Sequence, residues 1–581
     1  MSSAPATLQL AHAGRPRSFL RRLGEWLADW PNPIVVKELR QAVRGWTALV
    51  MFLLYLVVQL VVVGIMLMSV AEQVWSESPV GTEVFLAVQI QLAVTLVGLL
   101  PLYAGARLFL ERSDVNLDLM FITPLRPVWL VLGKLLAAAV LGLLFFSASA
   151  PVMTMAYFLR GLDLLYAGIL LGLDVLAMMT AVQAALFVAA IPAPRAVAVL
   201  LGVGLIFGLI FGVGMLASGS VAMFTAVAPE IVIGISSWVA LTLVAGFVLL
   251  FTATHALLSP PPSNRLMPFK IMLLAVPVVY WIVAGALLEL FSRLFGPHVP
   301  PVDIDEYLML VHFAERTLTM AGWLAWGIAV SERLDWNRRV LAQLPRSRWL
   351  RVLAFPFYTG AANGLMLALV LTGFSWLMRR SLGIWFSWSG SISRPFYSDI
   401  HGTWSEWEYS AFLADGYVIA YALTALTLRR YLEWQRGKSV PGWILLLLEV
   451  GLIAFASLLL AVVLALLRVP EPMLTYAFVL TPYPLFEALG IDVLFRHERW
   501  DVYFSSTVVV LTWLAIVGTV TFFWFGKQVR RFVPPPKASS SRTPAAASAT
   551  NPNDREPTLA SLANTTALAG HASQGPDNLP G

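Results

Sequence analysis

The sequence predicts an all-α fold, a polytopic membrane bundle of about twelve transmembrane helices. Three observations predict it. Of the 581 residues, 59% are apolar and 12% are charged, with a mean hydropathy of +0.77. Soluble domains run at about 45–50% and about 25%, so a water-soluble globule is excluded. The apolar residues also fall into runs of roughly 20, the length that crosses a bilayer. Lys and Arg are segregated as well. With both termini cytoplasmic, thirty lie in inner segments, eight in outer ones, and Arg316 within a run. That asymmetry is what the positive-inside rule expects, and it places the chain in the cytoplasmic (inner) membrane as a multi-pass protein. The absence of cysteine excludes disulfide frameworks, thiolate metal sites and thiol nucleophiles.

Residues 1–46 are read as a cytoplasmic N-terminus. Phe19, Leu20, Leu23, Trp26, Leu27 and Trp30 share one helical face, the pattern of an amphipathic helix lying in the membrane interface. Asn32-Pro33 then starts a second short helix, Ile34 to Trp46, since Asn caps well and Pro suits the first turn. More than forty residues with seven Lys and Arg precede the first apolar run, which is not the layout of a cleavable signal peptide.

A first half, 47–254, holds apolar runs at 47–70, 84–106, 132–157, 164–191, 196–217 and 231–254. After a cytoplasmic linker, 255–270, a second half, 271–525, holds runs at 271–291, 308–330, 352–378, 409–428, 442–467 and 502–525. The tail, 526–581, becomes rich in Pro, Ala, Ser and Asn and is expected to be disordered, having too little apolar area to offset its chain entropy.

The two most polar inner loops resemble each other. Glu111-Arg112 leads to Pro124 and Glu332-Arg333 to Pro345, thirteen residues in each case. A Trp-Leu pair follows both, as Trp129-Leu130 and Trp349-Leu350. The offset of 221 residues places each loop after the second run of its half, as a parallel internal repeat requires.

Polar residues inside the runs are few. Asp174, near the middle of the fourth, and Glu449, about two turns into the eleventh, are candidates for a translocation path, because an acid at bilayer depth must face protein or water. Gln59, Gln89, Gln91 and Gln183 read as interhelical glue. Glu315-Arg316 reads as self-compensating, and the aromatics of outer loop 379–408, such as Trp385 and Trp404, as a headgroup belt.

The chain carries no motor of its own. Gly437-Lys438-Ser439 fails as a phosphate loop because the required Gly at 432 is Leu. No catalytic residue, cofactor, metal ligand or nucleic-acid surface is read from the sequence. Leu117–Ile122 is an apolar run framed by Arg112, Asp114 and Asp118 and stopped by Thr123-Pro124, which suits a short rigid element projecting from the membrane.

On Asn32-Pro33-Ile34-Val35-Val36-Lys37-Glu38-Leu39-Arg40, Leu117 to Leu125 and Leu132-Gly133-Lys134, the first half resembles permease subunits of type-2 ATP-binding-cassette (ABC) exporters. The likeness is close over roughly residues 30–160. Ser259-Pro260-Pro261-Pro262-Ser263-Asn264-Arg265 also looks like family sequence. The resemblance implies an N-terminal connecting helix, a coupling helix near 111–127, and a separate ABC ATPase (nucleotide-binding) subunit in two copies. It implies a transporter subunit rather than an enzyme, with Glu111, Arg112, Asp118, Thr123, Pro124, Glu332, Arg333 and Pro345 coupling to the ATPase. Family permeases commonly have about six spans and pair; this chain looks like two such halves fused. The alternative is a polytopic membrane enzyme such as a lipid-linked glycosyltransferase, with Asp303 and Asp305 as an outer acidic pair for a divalent ion.

Overall fold

The computed structural model describes residues 33–72, 80–112, 127–159, 161–225, 229–259, 264–295, 319–388, 406–468 and 499–534. All regular structure among them is helical. Pro33–Arg44 (α1) leads into Trp46–Glu72 (α2). Val80–Ala93 (α3) passes through a π-helical stretch, Val94–Leu99, into Leu100–Arg112 (α4). Then come Pro127–Phe158 (α5), Leu164–Ala190 (α6), Arg195–Thr225 (α7) and Pro229–Leu258 (α8). The second half begins with Met267–Phe295 (α9), the short apolar helix Thr319–Ser331 (α10), and two small helices, Arg338–Ala342 (α11) and Arg348–Ala354 (α12). It ends with Ala361–Trp388 (α13), Glu406–Arg436 (α14), Gly442–Leu466 (α15) and Arg499–Arg531 (α16).

Nine helices among the described residues are long and apolar enough to cross a membrane. The other three predicted runs fall on α9, α10 and α14. Several helices run past the predicted ends, α7 to Thr225, α14 to Arg436 and α16 to Arg531, so residues 526–531, expected to belong to a disordered tail, are helical, and one predicted run is interrupted. The ninth run, read as beginning at 352, is broken: its first residues belong to α12 and to a 3-10 turn, Phe355–Phe357, and the long helix starts at Ala361. Pro356 removes an N–H and Gly360 has φ +146°, a backbone that L side chains avoid, so the chain turns there.

Among the described residues the two largest apolar cores lie one in each half. The first is built on Leu92, Leu96, Leu135, Phe145, Val182 and Leu186, the second on Leu273, Trp326, Leu365, Leu371 and Leu426. At the centre of the first is α6, flanked by α4, α7 and α8. Its Ala177, Ala181, Ala185 and Ala189, one turn apart and all buried, let neighbours close in. A Cβ on Gly105 of α4 would lie 3.1 Å from that of Ala185. In the second half α14 takes the corresponding place, packed on α15 and α16 with Gly416 against Val510. The halves join where α8 meets α9: Trp238 and Tyr280 pack edge-to-face at 5.6 Å and the Thr242 and Tyr280 hydroxyls are 3.1 Å apart.

Glutamines tie helices together as read. Gln91 donates to Tyr55 O at 3.0 Å, Gln59 to Ala148 O at 3.4 Å, and Gln183 to Leu250 O at 3.2 Å and Thr254 Oγ1 at 2.7 Å. By contrast α2, α7 and α15 leave most of their apolar side chains uncovered by protein, among them Leu60, Phe211 and Phe455. Helices apolar all round and bare of protein suit a lipid surrounding.

The start of α15 is the tightest backbone approach. A Cβ on Gly442 would collide with the Val330 carbonyl oxygen of α10. Gly442→Val is therefore expected to lower stability by about 1–3 kcal/mol, read as a lower thermal midpoint of the detergent-purified chain. Gly451→Ala, in open space on the same helix, should leave the midpoint unchanged.

Candidate functional site

The basic ends of the helices carry two ion-pair clusters, one in each half, built around Glu111 and Glu332, which stand 221 residues apart. In the first, Lys134 projects from the first turns of α5 into the space below α1. Its Nζ lies 2.7 Å from Glu38 Oε1 and 2.7 Å from Glu111 Oε2. Lys134 and Glu38 are buried, whereas Glu111 is a third exposed and also meets Lys37 at 3.4 Å. Arg107 of α4 stands 3.8 Å from Glu38 Oε2 and donates to Gln41 Oε1 at 2.5 Å. One ammonium thus fastens α1 to the ends of α4 and α5. The segments that carry the family resemblance, Lys37-Glu38-Leu39-Arg40 and Gly133-Lys134, meet at this contact.

The second cluster is more deeply buried. Lys270 Nζ, on the first turn of α9, lies 2.6 Å from Glu332 Oε1, with side-chain exposures of 0% and 2%. Lys270 also donates to Tyr358 O at 2.7 Å, and the Gly360 amide donates to Glu332 Oε2 at 2.8 Å. Arg429 of α14 donates through Nη1 to the carbonyls of Val330 (2.8 Å) and Glu332 (2.5 Å), satisfying the end of α10. Burial pushes the Glu332 carboxyl up from its ordinary value, while Lys270, the Gly360 amide and Arg265 pull it back.

This cluster holds down the loop between α10 and α13. Ala361 N donates to Arg333 O at 2.9 Å, Trp336 Nε1 to Asn363 Oδ1 at 2.8 Å, and Tyr358 OH to Gln343 O at 3.0 Å. Val340 and Leu344 plug into the core, and Phe532 of the segment after α16 packs on Phe355, Tyr358 and Trp336 at 4.9, 5.7 and 5.2 Å. A Cβ on Gly360 would press on Trp336 and Asn363, so the loop's geometry depends on glycine there. The loop is thus a folded knuckle. It presents Arg333, Asp335, Arg338 and Arg339 outward.

The structure places the other sequence candidates as follows. Arg112 closes α4; its side chain, with Asp118, Thr123 and Pro124, lies outside the described residues, as do the N-terminal amphipathic segment before residue 33, Glu315-Arg316, Asp303 and Asp305, the side chains of loop 379–408 and the tail beyond 534. Pro345 is half-buried in the turn between α11 and α12. Asp174 is fully buried on α6, with Gln89 Nε2 3.2 Å from both carboxylate oxygens. Glu449 is half-buried on α15, and its Oε2 has no hydrogen-bond partner among the described residues. The two acids belong to different halves and are not brought together. Gly437 ends α14 with φ +64° and a 3.0 Å bond from its N–H to Glu433 O, so Gly437-Lys438-Ser439 is a helix cap.

Sequence reading missed Lys270 and Arg429, which it counted only as inner charges, and also Asp415. On α14, Asp415 accepts from Trp323 Nε1 of α10 at 2.8 Å and Trp376 Nε1 of α13 at 2.7 Å. The signal existed, since Asp415 lies inside the tenth apolar run. Among the described residues no three His, Cys, Asp or Glu side chains gather as a metal site. No protein-family model, characterised protein or solved structure matches the chain.

A buried acid that loses its cation is strongly destabilising, whereas neutralising both partners is tolerated. Lys270→Met should therefore lower stability by about 3–5 kcal/mol, and Lys270→Met with Glu332→Gln should recover most of that loss. Thermal unfolding of both variants checks this; equal losses would mean the charge pairing is not what matters.

Proposed function

We propose that this chain is the membrane-spanning permease subunit of an ABC transporter, exporting its substrate with ATP hydrolysed by a separate ATPase subunit docked on the cytoplasmic, basic face. The observation that carries this reading is the knuckle between α10 and α13. A motor outside the membrane can move spans only through an element that is stiff and joined to several of them. The knuckle is pinned to α9, α10, α13 and α14 by Lys270, Glu332, Gly360 and Arg429, and offers charged side chains on its outer side. Glu332 acts here as a positioning residue, and Arg333, Arg338 and Arg339 are the groups that meet the ATPase. In the first half Glu111 takes the place of Glu332, fastened by Lys134 and followed by the segment that resembles a coupling helix.

We read the bundle as twelve crossings in two parallel six-span halves with both termini cytoplasmic. The parallel placement of α6 and α14, each packed on the next two long helices of its half, supports this. So do the peripheral positions of α7 and α15, the fifth runs of the two halves, and the repeated glutamates. Asp174 on α6 and Glu449 on α15 are the acids we assign to the transport path, and Asp415 stands at the position of α14 that corresponds to Asp174.

The proposal predicts that the chain purified from its native membrane brings with it an ABC ATPase. Arg338→Glu with Arg339→Glu, both on the solvent side, should cut permease-stimulated ATP hydrolysis by about tenfold or more at unchanged membrane insertion and thermal midpoint. Full stimulation by that variant and by Glu111→Ala/Arg112→Ala would remove the coupling assignment.

A further inference from the structure

The helix α12, Arg348–Ala354, is the one part of the knuckle whose apolar side chains are turned outward. Trp349, Leu350, Val352 and Leu353 are 85%, 57%, 70% and 71% exposed, and no residue of the helix is buried. At about 100° per residue these four share one side of the helix, and Arg348 and Arg351 take the other. Four large apolar residues on one short helix are not scattered surface hydrophobes; they require a cover.

The charge and the position of the helix identify that cover. Arg346, Arg348 and Arg351 flank the apolar side, with no acidic residue between Asp335 and α13. The helix lies in the chain between the end of α10 and the start of α13, two apolar helices. The same basic end carries Trp46 at the start of α2, Trp129 at the start of α5 and Trp434 near the end of α14, all exposed. Exposed tryptophans at the ends of membrane-spanning helices mark the headgroup zone. In addition, the 3-10 turn after α12 is anchored through Phe355, 4.9 Å from Phe532 and 6.0 Å from Phe525, so the helix is held beside the end of α16.

From these features we infer that α12 is an in-plane lipid-binding helix, with Trp349, Leu350, Val352 and Leu353 sunk among acyl chains and Arg346, Arg348 and Arg351 on anionic phospholipid headgroups. Anionic lipid then contributes to fixing the knuckle, and the charge of the leaflet tunes how rigidly it is held. This inference does not rest on the permease reading, since it concerns only the chain and the bilayer.

The absence of cysteine makes the test direct, because each introduced cysteine is the sole labelling site. Nitroxides on Leu350→Cys, Leu353→Cys and Arg348→Cys are read for collision with oxygen and with an aqueous nickel chelate. The full-length chain is reconstituted without partner in vesicles of phosphatidylcholine with or without phosphatidylglycerol. With phosphatidylglycerol, the labels at 350 and 353 should report depths of about 5–10 Å below the headgroups, and the label at 348 should stay in water. Omitting phosphatidylglycerol, or changing Arg346, Arg348 and Arg351 to Gln in the Leu353→Cys background, should lift the label at 353 toward water. Equal nickel access at 348, 350 and 353 would overturn the inference, and so would depth indifferent to both changes. Shielding that arises only when an ATPase subunit is added would also overturn it, in favour of a protein-covered surface, leaving the permease reading standing. Positions 346, 348, 350 and 353 are exposed, Arg351 is half-buried and donates to Arg346 O at 3.3 Å, and coincident thermal midpoints confirm the fold of each variant.

Discussion

A lysine ammonium cannot be left alone in an apolar interior, and that constraint organises the basic end of this molecule. Lys270 is wholly enclosed, so the chain has to bring a carboxylate and a carbonyl to it. It does so with Glu332 from the end of α10 and Tyr358 O from the turn before α13. Meeting both demands at once fixes the path of everything between residues 332 and 360. The Gly360 amide then completes the carboxylate, and Arg429 takes up the carbonyls that α10 leaves at its end. Lys134 does the same for the first half with two carboxylates, which is why α1 lies against α4 and α5 instead of trailing in solvent.

In the permease we propose, these clusters are what carries force from the ATPase to the spans. Apolar contacts between helices are non-directional and let them slide; buried, hydrogen-bonded charges do not, since any displacement separates ions in a low-dielectric setting. A push on the 332–360 loop therefore reaches α9, α10, α13 and α14 together. The two halves solve the same problem with different parts. Glu111 and Glu332 each close a helix end, but the cation comes from the helix after the loop in the first half and from the helix before α10 in the second.

The long helices were legible because composition alone decides them. Nine apolar runs fall on helices long and apolar enough to cross a membrane, and Pro33 starts α1 one residue from the expected Ile34. The glutamines act as interhelical donors, as their isolation in apolar runs implied. What could not be read was pairing at a distance. Glu332 and Lys270 are sixty-two positions apart with nothing in either neighbourhood naming the other, so a charge at a loop edge looked like a docking residue when it is an internal tie. The split of the ninth run was hidden for a local reason. Trp349, Leu350, Val352 and Leu353 are as apolar as a span, and only Pro356 and the unusual backbone at Gly360 separate them from it. Asp415 went unread although the rule that singled out Asp174 applied to it equally.

The claim that the knuckle is a rigid extension of the spans is tested most directly by amide hydrogen exchange on the full-length chain in lipid. If buried ion pairing holds the loop, the amides of Val340, Leu341 and Gly360 exchange as slowly as those within α13, and Glu332→Gln accelerates exchange across 332–360 while leaving α6 unchanged. Exchange of the unmodified 332–360 segment at the rate of unstructured peptide would contradict the account.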